Sequence, residues 1–207
     1  MREQAAYDTP SRFLHWLTAA LLLLSFGLGL SMTRFIGDDM KLRVYGWHEW
    51  VGLTIFAATI GRLLWRLTHP APPLSLPGIE RIASKLTYAG IYGILLVQPI
   101  VGWVMSTAFG FPVVYLGLIP LPQPVEVDRA LAERLQGVHF ALAMALVALF
   151  AAHIGGVLYH HLIRKDGVLR RMLPSAAGPL LPSAGAFNFF SSGLRPIATV
   201  IVLLSNV

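Results

Sequence analysis

Cysteine is absent from this chain of 207 residues. That excludes disulfides, thiolate-held iron–sulfur clusters and the C-x-x-C-H covalent attachment of haem, so any haem would depend on side-chain ligation alone. Charge is scarce as well: 13% of residues are charged and only ten are acidic, against 56% hydrophobic residues and a mean hydropathy of +0.66. Such a chain carries too little polar surface for a soluble domain and reads as an integral membrane protein. The net charge of +6 is scattered between apolar runs rather than gathered on one face, which argues against nucleic acid as a partner.

Four apolar runs have the length needed to cross a bilayer: 13–35, 46–68, 84–108 and 129–163. The first follows Arg2 and Arg12 as a signal peptide would, but it is long and no A-x-A-like site follows it, so it is expected to be retained. The third contains no histidine and includes Gln98 and Pro99, which predict a kink. Proline-rich stretches at 69–77 and 120–124 fall between runs as connectors. The expected fold is all-α, an integral membrane four-helix bundle over residues 1–174. Residues 175–207 form a tail whose strongest apolar run, 197–204, is too short to span.

The fourth run carries a histidine near each end. His139 and His153 are fourteen residues apart, which in a helix places them within roughly 40° of one face and about 21 Å apart. That separation suits two stacked cofactors, one near each side of a membrane. The face between them (Ala143, Leu146, Phe150) is apolar and leaves room for a flat ring. Histidine is costly in hydrocarbon, so a function is the default expectation, the bland alternative being a hydrogen bond to a neighbouring helix. His15 lies about one turn inside the first run and His48 near the start of the second. Arg62 follows His48 by fourteen residues, on the same face at the opposite membrane side, where it could pair with haem propionates. On spacing alone the alternative stays open that Arg62 snorkels to the headgroups, as Arg66 is expected to do. His69 and His160 are expected at the interface, although His160, seven residues beyond His153, is a rival to it; His161 points elsewhere.

With four spans, ten Lys and Arg (Arg2, Arg12, Arg62, Arg66, Arg81, Lys85, Arg164, Lys165, Arg170, Arg171) fall on one side. The other side holds five (Arg34, Lys41, Arg43, Arg129, Arg134), offset in part by acidic residues. This bias puts the N-terminus and the basic segment after the last span in the cytoplasm of an inner-membrane, multi-pass protein. His48 and His139 then share the outer level and His15 and His153 the inner one. Each level has one histidine from each of two helices, as bis-imidazole ligation of a haem iron requires. Gly52, Gly155 and Gly156 remove side chains where a porphyrin edge could approach, or else serve close helix packing.

RFLHW opening the first span, WHEWVG followed by RLLWRL in the second, and GVHFALA through AAHIGGVLYHHLIRKDGVLRRMLP in the fourth resemble the bacterial cytochrome b561 family. The resemblance covers residues 7 to 174; the segment from Ser175 onward is unlike the family. It implies that His15, His48, His139 and His153 are axial ligands, and therefore metal ligands, of two b-type haems. It also implies electron exchange with a quinone, and for a superoxide oxidase-like member the passage of electrons from periplasmic superoxide to ubiquinone.

The expected function is therefore that of a membrane oxidoreductase taking electrons from superoxide, or another small outer donor, and reducing ubiquinone. The alternative is an electron-relay cytochrome b subunit docked to a dehydrogenase or hydrogenase partner, which the small loops disfavour. A proton-relaying transporter is the weakest reading, because acidic residues and broken helices are missing from mid-membrane positions. Lys41, Arg43 and Arg134, close in sequence to His48 and His139, are candidates for a cationic mouth that draws superoxide in; ordinary solvated loop charge is their bland alternative.

Overall fold

A computed structural model of the chain describes residues 6–34, 37–73 and 76–173, with the side chains of Asp38 and Asp39 left aside; the expected tail, 175–207, lies outside the described residues. Four long helices dominate: α1 (Thr9–Arg34), α2 (Asp38–Thr68), α3 (Gly78–Ala108) and α4 (Arg129–Leu158). Each is long and apolar enough to cross a membrane. The fold is the all-α membrane bundle expected from the apolar runs. Leucines such as Leu23, Leu64 and Leu86 and Phe140 point outward, which suits lipid and would be unfavourable in water.

Local chemistry sets the helix ends. Asp8 caps α1 by accepting the Ser11 N–H at 2.7 Å, and Pro10 sits in the first turn, where its missing N–H costs nothing. Burial pushes the Asp8 carboxyl up, but hydrogen bonds from Ser11 and Trp65 outweigh it and hold the group below the usual carboxylate range. Asp128 caps α4 through the Leu131 N–H at 3.0 Å. α2 and α3 begin about two turns earlier than their apolar runs, because their first turns are polar and hydropathy does not register them. α3 continues as a helix through Pro99. α4 widens after Leu158 into a π-helical turn (Tyr159–Arg164) that ends on Lys165 in the left-handed conformation.

α1 packs along α2 and α3 along α4, with α2 and α3 joining the two pairs. Among the described residues α1 and α4 are not closely packed, so the bundle is loosest along that side. At the end reached by α1 to α2 and by α3 to α4, a small hairpin of β1 (Val114–Tyr115) and β2 (Ile119–Pro120) lies over the helices. Trp50 Nε1 holds it by donating to Val114 O at 2.8 Å, and Thr54 Oγ1 by its 2.9 Å bond to the Tyr115 hydroxyl. At the opposite end the chain closes on itself. The Tyr7 N–H donates to Arg171 O, Trp16 Nε1 to Met172 O and an Arg12 Nη to Leu173 O.

Candidate functional site

Each helix sends a stripe of residues, seven apart, toward the bundle axis. Seven residues are close to two turns, so such positions share a face with a drift of about 20°. The stripes are His15, Leu22 and Gly29 on α1; His48, Ile55 and Arg62 on α2; Tyr88, Leu95 and Gly102 on α3; His139, Leu146 and His153 on α4. The middle members, Leu22, Ile55, Leu95 and Leu146, form the buried core, with Val51, Ile91 and Phe150 packed around it. This apolar layer separates two levels that contain the histidines.

At the hairpin end, the rings of His48 and His139 have centroids 6.2 Å apart and an interplanar angle of 71°. At the terminal end, His15 and His153 stand in the same relation, 6.2 Å and 70°. Two imidazoles sharing one transition-metal ion hold their nitrogens about 2 Å from it, and each ring centre lies about 1.1 Å further back, which gives roughly 6.2 Å between centroids. The angle is compatible too, since two planes can contain one nitrogen–metal–nitrogen line while rotated about it. Both pairs therefore fit an iron held between two helices, as the resemblance implied.

The surroundings fix the rings. His48 Nδ1 lies 3.0 Å from Ser25 O, an atom that can only accept, so Nδ1 carries the proton and Nε2 presents its lone pair for ligation. Gly29 makes room for this ring: a Cβ there would stand 3.4 Å from His48 Cε1. Across the bundle Gly102 does the same for His139, where a Cβ would stand 3.2 Å from Cε1 and 3.5 Å from Nδ1. His139 Nδ1 is buried without a hydrogen-bond partner, so packing rather than a hydrogen bond orients this ring. Gln98 Nε2 donates to the carbonyl of His139 at 2.9 Å and ties α3 to the ligand's backbone. At the terminal level Tyr88 meets His153 edge-on at 5.8 Å, and Arg62 lies 5.4 Å over the ring of Tyr92.

The remaining expectations sort by face. Lys41, seven residues before His48, continues the α2 stripe and is partly covered. Arg43 and Arg134 are exposed and turned well away from the stripes of their helices. Arg66 is 9% exposed, with its guanidinium 4.5 Å over the Tyr7 ring. His69 stacks on Trp65 at 3.8 Å, and His160 Nδ1 is paired with Asp166 at 2.6 Å. Gly52, Gly155 and Gly156 have no atom within 4 Å of an added Cβ, so they border open space and are not helix contacts within the chain. Gly29, Gly102 and Tyr88 were not singled out from sequence, and Gln98 was read there only with Pro99 as part of a kink. Extending the seven-residue spacing to every helix would have found all but Gln98.

A family model described as prokaryotic cytochrome b561 matches residues 6–175. Cytochrome b561 homolog 2 of Escherichia coli (strain K12) is 32% identical over 176 residues, covering 80% of this chain and 93% of its own length. Probable superoxide oxidase CybB of Yersinia pestis is 26% identical over 168 residues, covering 80% of this chain and 94% of its own. Cytochrome b561 homolog 1 of Escherichia coli (strain K12) is 25% identical over 168 residues, covering 78% and 93%.

Proposed function

Because the chain belongs to the prokaryotic cytochrome b561 family, whose members are helical membrane proteins that bind b-type haem, we propose that it carries two such haems and moves electrons across the inner membrane from superoxide to ubiquinone. The observation that carries this reading is the pair of imidazole pairs at equal 6.2 Å spacing, one on each side of the apolar layer. His48 and His139 hold the haem at the hairpin end; His15 and His153 hold the one at the terminal end. A haem held by such a pair would supply one-electron exchange.

The chain's own residues do the rest. Ser25 and Gly29 orient His48, Gln98 and Gly102 orient His139, and the leucine-rich middle layer keeps water out between the two levels. Arg62 places positive charge beside the terminal-end pair. The hairpin end faces the periplasm, and the chain's N-terminus and its basic segment after α4 face the cytoplasm, in keeping with the distribution of Lys and Arg. Lys41 draws superoxide toward His48 and His139, while Arg43 and Arg134 add to the field from further out. In the overall reaction two superoxide anions give up one electron each and leave as dioxygen, and one quinone takes both electrons and two protons to become quinol. The similarity to probable superoxide oxidase CybB of Yersinia pestis supports superoxide as the donor.

Stopped-flow reduction of the haem by superoxide at several ionic strengths tests the proposal. Fast reduction is expected, slowing as salt screens the field, with Lys41→Gln losing more of the salt-sensitive part than Arg43→Gln or Arg134→Gln. If superoxide leaves the haem oxidised while quinol or an added dehydrogenase reduces it, the chain is a relay subunit instead.

A further inference from the structure

The terminal end of the bundle holds positive charge that the protein does not neutralise. Arg62 and Arg66 stand one turn apart on α2, and among the described residues neither makes a hydrogen bond or an ion pair. Nε of Arg62, and both Nε and Nη1 of Arg66, are buried without a partner, and Arg66 is 9% exposed. The faces of Tyr92 and Tyr7 lie 5.4 and 4.5 Å from the two guanidinium carbons. An aromatic face stabilises a cation, but it does not accept the in-plane N–H groups.

Among the described residues the carboxylates at this end of the chain have other partners: Asp8 accepts from Ser11 and Trp65, Glu80 Oε1 pairs with Arg164 while its Oε2 is buried without a hydrogen bond, and Asp166 pairs with His160. A third cation, Arg171, is 2% exposed and lies 5.4 Å from the same Tyr7 ring, where it donates to the carbonyls of Pro72 and Pro73. Buried guanidinium groups are costly unless an anion faces them, so this arrangement calls for an anion the chain does not supply. On α3, Tyr88, which meets His153 edge-on, lies four residues before Tyr92, whose ring Arg62 faces.

We propose that Arg62 and Arg66 form a receptor for two carboxylates, and that it takes the paired propionates of the haem held by His15 and His153. The inference rests on the haem-binding reading above. It adds Arg66, which the sequence assigned to the headgroups, and it gives the stoichiometry of two guanidinium groups to two carboxylates. Arg62 shares the axis-facing stripe of His48 and Ile55, and Tyr7 covers Arg66. A carboxylate inside the bundle therefore reaches the pair more directly than a lipid phosphate outside it.

The full-length protein, produced without haem, is reconstituted either with haem or with haem dimethyl ester, in which both carboxylates are masked. Loss to a haem scavenger and the midpoint potential of each haem are then measured. Charge-assisted bonds to two carboxylates predict that the ester leaves the terminal-end site at least about tenfold faster than haem. In an Arg62→Gln, Arg66→Gln variant that difference should vanish and the terminal-end potential should fall, while the hairpin-end haem is unaffected. Arg66→Lys, which keeps the charge without the fork, should fall between.

Equal retention of haem and ester by the native protein overturns the proposal without needing any variant to fold. If the ester is retained equally but vesicles containing phosphatidylglycerol, compared with phosphatidylcholine alone, stabilise the native protein and not the variant, a lipid phosphate is the occupant and the proposal is likewise overturned. Failure of either porphyrin to bind with a low-spin spectrum would instead overturn the haem-ligation reading itself.

Discussion

Replacing Gly102 by alanine would put a methyl carbon 3.2 Å from Cε1 and 3.5 Å from Nδ1 of His139. Carbon atoms in ordinary contact sit about 3.5–4.0 Å apart, so the ring or the helix must give way by a few tenths of an ångström. The helices cannot readily part here, since α3 and α4 form one of the two most closely packed pairs and Gln98 ties α3 to the His139 carbonyl. The ring yields instead, because its Nδ1 has no hydrogen bond to resist movement. A shift of that size exceeds the roughly 0.2 Å tolerance of a metal–nitrogen bond.

The cost of such overpacking is about 1–3 kcal/mol, and here it falls on ligation rather than on the bundle as a whole. Converted at about 1.4 kcal/mol per tenfold, Gly102→Ala should hold the hairpin-end haem roughly 5- to 150-fold less tightly. The terminal-end haem, beyond the leucine layer, should be retained as before. Scavenger-driven haem loss, followed at the α-band of each haem, measures this, and electron paramagnetic resonance reads the tilt of the displaced imidazole. Gly29→Ala, with its Cβ at 3.4 Å from His48 Cε1, should act in the same direction but more weakly. Gly93→Ala, on the outer face of α3 with nothing within 4 Å, should leave haem retention unchanged and strengthen the helix slightly. Equal haem retention in Gly102→Ala and Gly93→Ala would refute the argument that the glycine positions the ring.

Two other outcomes are expected. His139→Ala should remove the hairpin-end haem and His153→Ala the terminal-end haem, each leaving the other's difference spectrum largely intact; two normal haems in either variant would mean the ligands are misassigned. Asp166 is pushed up by burial, but hydrogen bonds from His160 and the Val168 N–H and the charge of Arg164 outweigh this and hold its carboxyl below the usual range. A lowered folded-state value stabilises the segment after α4 above about pH 4 and loses that effect as pH falls through the folded value. Amide exchange over residues 164–172 should therefore lose protection in acid, and Asp166→Asn should show reduced protection at neutral pH with little further change in acid. Coinciding profiles for the two proteins would count against the linkage.

What was legible in the sequence was what depends on one helix at a time. The four apolar runs and the seven-residue arithmetic linking His139, Leu146 and His153 are properties of a single segment, so bundle class and candidate ligands could be read directly. The meaning of a glycine depends on the neighbouring helix. Gly52 and Gly102 look alike in sequence, yet one borders open space and the other touches a candidate ligand ring. Arg66, in the last turn of its helix, reads as a residue bound for the headgroups; its cover by Tyr7, from the segment before α1, is not legible in that helix. Gln98 beside Pro99 reads as a kink; that its amide crosses to the His139 carbonyl on α4 depends on the neighbouring helix and is not legible in the segment itself. Lys41 is the intermediate case, because its separation of seven residues from His48 was present in the sequence and distinguishes it from Arg43.

The common stripe also explains why the two levels match so closely. Each helix contributes one residue per level, and the middle layer of Leu22, Ile55, Leu95 and Leu146 fixes the rotation of all four helices at once. Once those four side chains interlock, the residues seven positions to either side have little freedom left. One inserted residue between Leu95 and Gly102 would turn the end of α3 by about 100° and replace the glycine at His139 with a side chain. The same insertion in the hairpin would be absorbed by a loop. The spacing within the helices, more than the identity of any one apolar residue, holds each imidazole opposite its partner.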